Sequence, residues 1–264
     1  NDARRQRQMC IRDRCYLAFQ MPQKLISLSE VDDLTPRQVR SYYNKYSNSG
    51  FPKFLSILGY DKVNPHTAEG MVITDKNGTE IHDYTGGMSV LNLGHNHPKV
   101  TRAKQEFEAK QPPEVWKHFP NPYAAELSEK LAAICPGDLN HSFYFNSGAE
   151  ANEGALKLAQ KFQGPEKQTF IYTDISFHGK THATLSLTGN EGDKRKYFTQ
   201  LPGCVSIPYG DIEAFEKVIS SRTESDGNDI CAFILEALVA EEMVLPPEGY
   251  FKKVRELCLS LIHI

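Results

Sequence analysis

The chain has 264 residues, 40% hydrophobic and 24% charged, a mix that supports a packed core and excludes disorder over most of its length. At about 150 residues per domain, that length allows one or two domains. Thirty Lys and Arg against 33 Asp and Glu leave a net charge of −3, so nucleic-acid binding through bulk charge is not expected. The most apolar run, Ile230–Leu245, is broken by Glu236, Glu241 and Glu242, so no membrane span is expected either.

The start, Asn1–Cys10, is Arg-rich and lacks the apolar stretch of a secretory signal. Asp2 and Asp13 interrupt a presequence pattern, so a cytoplasmic protein is expected, with a mitochondrial one as the alternative. Cys10, Cys15, Cys135, Cys204, Cys231 and Cys258 include no C-x-x-C pair. They read as reduced thiols, buried in apolar patterns except for Cys10 and Cys15 in the polar start. Thr35-Pro36 predicts an N-cap and first turn for a helix running to Tyr46. Met71-Val72-Ile73 and Ile81–Tyr84 flank Asn77-Gly78 and predict a hairpin. Helices are expected after His97-Pro98 and over Tyr123–Ile134, the second stopped by Pro136-Gly137. From there short apolar runs alternate with helical stretches. Strands are expected at Ser142–Phe145, Thr169–Tyr172, Cys204–Ile207 and Ile230–Leu235, and helices at Ala149–Phe162, Ile212–Ile219 and Gly249–Leu257. Ser220–Asn228 reads as a surface loop. This alternation predicts an α/β fold with a mostly parallel sheet flanked by helices.

Ligands of such sheets bind beyond the carboxyl ends of the strands. Three strand ends carry suggestive residues. Phe145-Asn146-Ser147-Gly148-Ala149 passes from strand to helix. Its first amides, the helix dipole and the Ser147 hydroxyl would suit a phosphate, although an ordinary turn capped by Ser147 has the same pattern. Phe177-His178-Gly179-Lys180 places an aromatic ring beside a flexible residue, suited to stacking on a planar ligand, or else supplies a core Phe and a surface His. Glu236 follows the strand Ile230–Leu235, where a carboxylate can pair with an arginine, receive a substrate ammonium or simply be solvated. Glu241 and Glu242 give only a weak paired-carboxylate signal. His82, His95 and His97 fit no standard ligand spacing, so no metal is expected.

Taken together, four stretches resemble the class III pyridoxal-phosphate aminotransferases, of the acetylornithine, ornithine, 4-aminobutyrate and putrescine aminotransferase type. They are Tyr84–Gly87 through Leu93–Val100, Phe145–Glu153 with Ala155–Ala159, Phe177–Thr181, and Ile234-Leu235-Glu236 with Leu245–Tyr250. Their order and spacing agree across about residues 55–258. The resemblance implies a PLP-dependent transferase fold of type I, with the large domain cut short at its C-terminal side. Residues 1–54 would form an N-terminal segment whose first 15 or so residues look foreign, 55–258 would add a partial cofactor-binding domain, and 259–264 a foreign tail.

The resemblance also implies roles. Ser147, Gly148 and Ala149 would cup the phosphate of pyridoxal 5'-phosphate. Phe177 would stack on its pyridine, with His178 and Gly179 beside it. Glu236 would be a cleft glutamate, and Met88 would line the substrate pocket. The implied reaction is ping-pong transfer of an amino group from a small amino donor to a 2-oxo acid, in a homodimer. The Schiff-base lysine and the aspartate at the pyridine nitrogen match nothing here. Lys157 and Lys180 fall at other positions, so the expectation is a fragment whose catalytic groups lie beyond residue 264, inactive alone. The alternatives are a non-catalytic relative of the same fold, a class III relative such as an aminomutase, or an unrelated α/β protein that binds a phosphorylated ligand at Ser147-Gly148. Ala237, Val239, Ala240 and Met243 depart from the Pro, Gln and glycines usual in the family, which leaves the substrate open.

Overall fold

The structure is a computed structural model that describes residues 26–191, 195–223 and 228–262. These form two compact units, divided between Lys117 and His118.

The first unit opens with two short capped helices, α1 (Leu28–Asp32) and α2 (Pro36–Tyr46), followed by α3 (Gly50–Ile57). Thr35 caps α2 as expected: its hydroxyl accepts the Gln38 amide at 3.3 Å, while Gln38 Oε1 accepts the Thr35 amide at 2.9 Å. A three-stranded antiparallel meander follows, β1 (Pro65–Glu69), β2 (Val72–Asp75) and β3 (Glu80–His82). The expected hairpin is β2–β3, its turn held by the Asp75 carboxylate, which accepts the Asn77 and Thr79 amides at 2.8 Å each. Helix α4 (Pro98–Glu108) starts at His97-Pro98, as its sequence predicts.

The second unit begins with α5 (Pro122–Ile134), capped by Asn121, whose side chain accepts the Tyr123 and Ala124 amides. The strand expected at Ser142–Phe145 is absent. Those residues have strand propensity, but a strand needs a ladder partner, and the run pairs with neither edge of the parallel sheet. Its rings pack locally instead: Phe143 and Phe145 stand 4.9 Å apart, and Tyr144 shares a 2.8 Å hydrogen bond with Ser128. Helix α6 (Gly148–Gln163) leads to β4 (Thr169–Thr173), then α7 (His182–Ser186), β5 (Cys204–Ile207), α8 (Ile212–Thr223), β6 (Ile230–Ile234) and α9 (Tyr250–Ile262). Helix α8 continues to Thr223, so the first part of the expected loop at Ser220–Asn228 is its last turn; 224–227 lie outside the described residues.

The parallel sheet has the order β5–β4–β6. All five residues of the central β4 are buried, because both faces of the sheet are covered. Ile171 joins Phe215 of α8 and Tyr250, Val254 and Leu261 of α9 in one cluster. Phe170 and Tyr172, pointing the other way, join Leu156 of α6 and Leu187 in a second. Cys231 is buried, and Cys204 and Cys258 are half-buried, with burial pushing the Cys204 thiol up to about 11. Cys135 is exposed, against expectation: it is the C-cap of α5, a helix that buries none of its own residues among those described. Cys10 and Cys15 lie outside the described residues. Because β4 and β6 are parallel neighbours, the segments that follow them emerge at the same end of the sheet.

Candidate functional site

Six of the residues singled out by sequence form one connected arrangement with Glu236 in the second unit. Ser147 is the N-cap of α6; its hydroxyl accepts the Glu150 amide at 3.2 Å. A sixteen-residue helix with this cap presents its first amides and the positive end of its dipole at Gly148 and Ala149. A Cβ on Gly148 would meet no atom within 4 Å, so the approach to these amides is open.

The segment after β4 is tied to this helix end. Gly179 has φ 130°, and a Cβ there would lie 2.7 Å from the Ala149 Cβ and from Thr184 Oγ1. Asn152 Nδ2 donates to the His178 carbonyl at 2.8 Å, and Thr181 Oγ1 donates to Glu153 Oε1 at 2.6 Å. The helix end and the Phe177 segment are thus a single body. Phe177 is half-exposed, with Lys180 Nζ 5.7 Å from its ring centroid.

His178 is not a surface residue. It is buried, its amide donates to Thr188 Oγ1 at 3.0 Å, and its Nε2 is buried with no hydrogen-bond partner among the described residues. Burial holds its pKa below the ordinary histidine value, opposed by the charge of Glu236. Glu236 is pinned: Oε1 accepts the Phe177 amide at 2.8 Å and Oε2 the Ala240 amide at 3.3 Å. The Tyr209 hydroxyl donates to the carbonyls of Glu236 and Ala237 at 3.2 and 3.3 Å. Burial first, and then the Glu236 charge, raises its pKa.

Met88 belongs to the first unit. It is exposed and sits in a turn where Gly86, Gly87, Met88 and Ser89 all have left-handed φ, from 54° to 66°. The Asp83 carboxylate anchors that turn, accepting the Thr85, Gly86 and Gly87 amides at 2.9, 2.9 and 3.2 Å, with His95 Nε2 at 2.9 Å. The Thr85 hydroxyl and His95 hold this carboxyl well below the usual carboxylate range. His97 occupies the N-cap position of α4 without a side-chain cap hydrogen bond, and His82 stands against Tyr84. Sequence reasoning missed Asn152, Thr188, Asn190 and Tyr209 as parts of the site. Asn152 sat inside the motif already noted; the other three lie at no regular spacing from it.

The open helix end, the glycine contact and the buried, unpartnered imidazole nitrogen are compatible with a phosphate-bearing planar ligand. The fold is the pyridoxal-phosphate-dependent transferase fold of type I. The match to a family model is narrower still: the class-III aminotransferase model covers residues 59–260, and the chain belongs to that family.

Among solved structures, the ornithine aminotransferase of Toxoplasma gondii superposes with a TM-score of 0.70 at 24% identity, over 88% of this chain and 53% of that one. A transaminase of the marine bacterium Virgibacillus gives 0.67 at 27%, over 76% and 47%. The omega-transaminase of Pseudomonas jessenii, solved in complex with PMP, gives 0.71 at 24%, over 87% and 54%. The chain spans about half the length of the solved structures it matches. Among the described residues, no helix is long and apolar enough to cross a membrane.

Proposed function

We propose that the protein containing this chain is a pyridoxal-5'-phosphate-dependent transaminase, moving an amino group from a small amino donor to a 2-oxo acid. The observation that carries the reading is the fusion of the α6 N-terminus to the Phe177 segment through Gly179–Ala149 and Asn152–His178. One rigid body then offers an anion site and an aromatic face.

In this reading Ser147, Gly148 and Ala149 hold the cofactor phosphate with a hydroxyl and helix amides. Phe177 lies against the ring, and Gly179 lets the two parts approach. His178 stays neutral and packs beneath. Glu236 fixes Phe177 through its amide. When bound, pyridoxal phosphate supplies the electron sink that lets a proton leave the carbon bearing the amino group. Met88 is assigned to the substrate pocket. The lysine that carries the cofactor and moves that proton, and the aspartate at the pyridine nitrogen, are assigned to sequence beyond residue 264. A homodimer is assigned to the intact protein.

The test is a half-reaction. The intact protein, loaded with pyridoxal phosphate, is mixed with ornithine, putrescine, 4-aminobutyrate or acetylornithine in turn. Loss of the cofactor absorbance near the visible with release of the matching carbonyl product supports the reading. Cofactor binding with no response to any amine favours a non-catalytic relative, and racemisation or amino-group migration without carbonyl release favours a mutase.

A further inference from the structure

Asn190 links the segment that carries Phe177 to the loop that carries Glu241. Its Oδ1 accepts the Ser176 amide at 3.0 Å, and its Nδ2 donates to Glu241 Oε2 at 2.9 Å. Both ends of the carboxamide are therefore used. A flipped amide would set a donor against the Ser176 N–H and an oxygen against a carboxylate, so one orientation is enforced. The backbone beneath is equally constrained. A Cβ on the preceding Gly189 would stand 2.0 Å from the Asp174 carbonyl oxygen, and the Gly189 amide donates to Ser176 Oγ at 3.1 Å.

The loop at the other end of this link is anchored as well. Val239 is fully buried and pairs with Val244 across a short antiparallel bridge. Glu236 adds a second tie between the same two segments by accepting both the Phe177 and Ala240 amides. Consecutive amides, those of Ser176 and Phe177, are thus held by Asn190 and Glu236, the first tied through Glu241 to the loop that follows the second.

We propose that Asn190 is a positioning residue for the cofactor ring: it sets the backbone that carries Phe177, and Glu241 holds Asn190 in the orientation that does so. The inference rests on the reading of Phe177 as the ring's stacking partner. It also gives the divergent loop 237–244 a role in cofactor retention.

The test uses the intact protein and pyridoxal phosphate, with two readouts: the dissociation constant by equilibrium dialysis, and the visible circular dichroism of the bound cofactor, which depends on ring tilt. Asn190→Asp keeps the acceptor for Ser176 but sets a carboxylate against Glu241. It is expected to weaken binding about five- to tenfold, the size of one lost hydrogen bond, and to diminish the dichroism. The double variant Asn190→Asp with Glu241→Gln restores the link with donor and acceptor exchanged, and is expected to recover both readouts to within about twofold. Glu241→Ala removes the hold from an exposed position, tolerant of change, and is expected to reduce the dichroism in the same direction. Unchanged affinity and dichroism in Asn190→Asp and Glu241→Ala overturn the proposal. So does a double variant that recovers its thermal midpoint but not its dichroism, since that is the mark of a purely structural contact. A wild-type protein that binds no pyridoxal phosphate is a different result, and overturns the cofactor reading itself.

Discussion

Gly179 and Ala149 meet with no room for another carbon: a Cβ on Gly179 would stand 2.7 Å from that of Ala149. This contact sets the distance between the N-terminus of α6 and the segment bearing Phe177.

Gly179→Ala therefore has two costs. The new methyl overlaps Ala149 and Thr184, and φ 130° is a conformation that alanine rarely adopts. A loss of about 2–3 kcal/mol is expected, read as a fall in the urea midpoint with an unchanged slope. Pyridoxal phosphate affinity is expected to fall as well. A variant as stable as wild type would show that the two segments are free to separate.

Ser147→Ala removes the cap of α6. The expected stability loss is about 1 kcal/mol, the usual cost of an N-cap hydroxyl. Ser147→Thr keeps an oxygen in place and is expected to retain most of that. If the hydroxyl also meets the cofactor phosphate, Ser147→Ala weakens pyridoxal phosphate binding relative to Ser147→Thr, which dialysis measures directly.

His178 gives the site a pH signature. Its pKa in the folded chain lies below the unfolded value of about 6.5, because burial disfavours the imidazolium. The unfolded chain therefore takes up protons first as pH falls, and stability rises with pH in that window. The contribution is complete above about pH 6.5 and is lost as pH drops through the folded pKa. Urea midpoints between pH 5 and 7.5 are expected to slope upward in wild type and to flatten in His178→Gln. Equal slopes would mean that His178 is not buried as described.

The first unit carries an acid-side signature of its own. The Asp83 carboxyl is held low by the Thr85 hydroxyl and His95. Its contribution is present above the unfolded value of about 3.9 and is lost as pH falls below it. Asp83→Asn is expected to lose part of this anchoring at neutral pH and to shed the pH dependence below about 4. Circular dichroism melts from pH 2.5 to 5 check this.

How far the sequence reveals this depends on the range of each signal. Thr35-Pro36, Asn77-Gly78 and the buried run of β4 are local, and each forms where it is expected. β1 begins Pro65-His66-Thr67 and has no apolar run, so nothing local announces it; pairing with β2 creates it. Phe143–Phe145 fails in the opposite way, with local strand character and no ladder. The site divides similarly. Ser147, Phe177 and Glu236 stand at strand or helix ends and are legible there. The polar links that join their segments span 26 residues from Asn152 to His178 and 51 from Asn190 to Glu241. Hydrogen bonds across such separations depend on how the strands are ordered, which no short window of sequence contains.

The central claim is that the α6 N-terminus and Phe177 together hold one phosphate-bearing ring. A crystal structure of the intact protein grown with pyridoxal phosphate tests it most directly. The account predicts the phosphate at the amides of Gly148 and Ala149 beside Ser147, with the Phe177 ring against the pyridine. A cofactor bound elsewhere, or a phosphate at that helix end with Phe177 turned away from the ring, would contradict it.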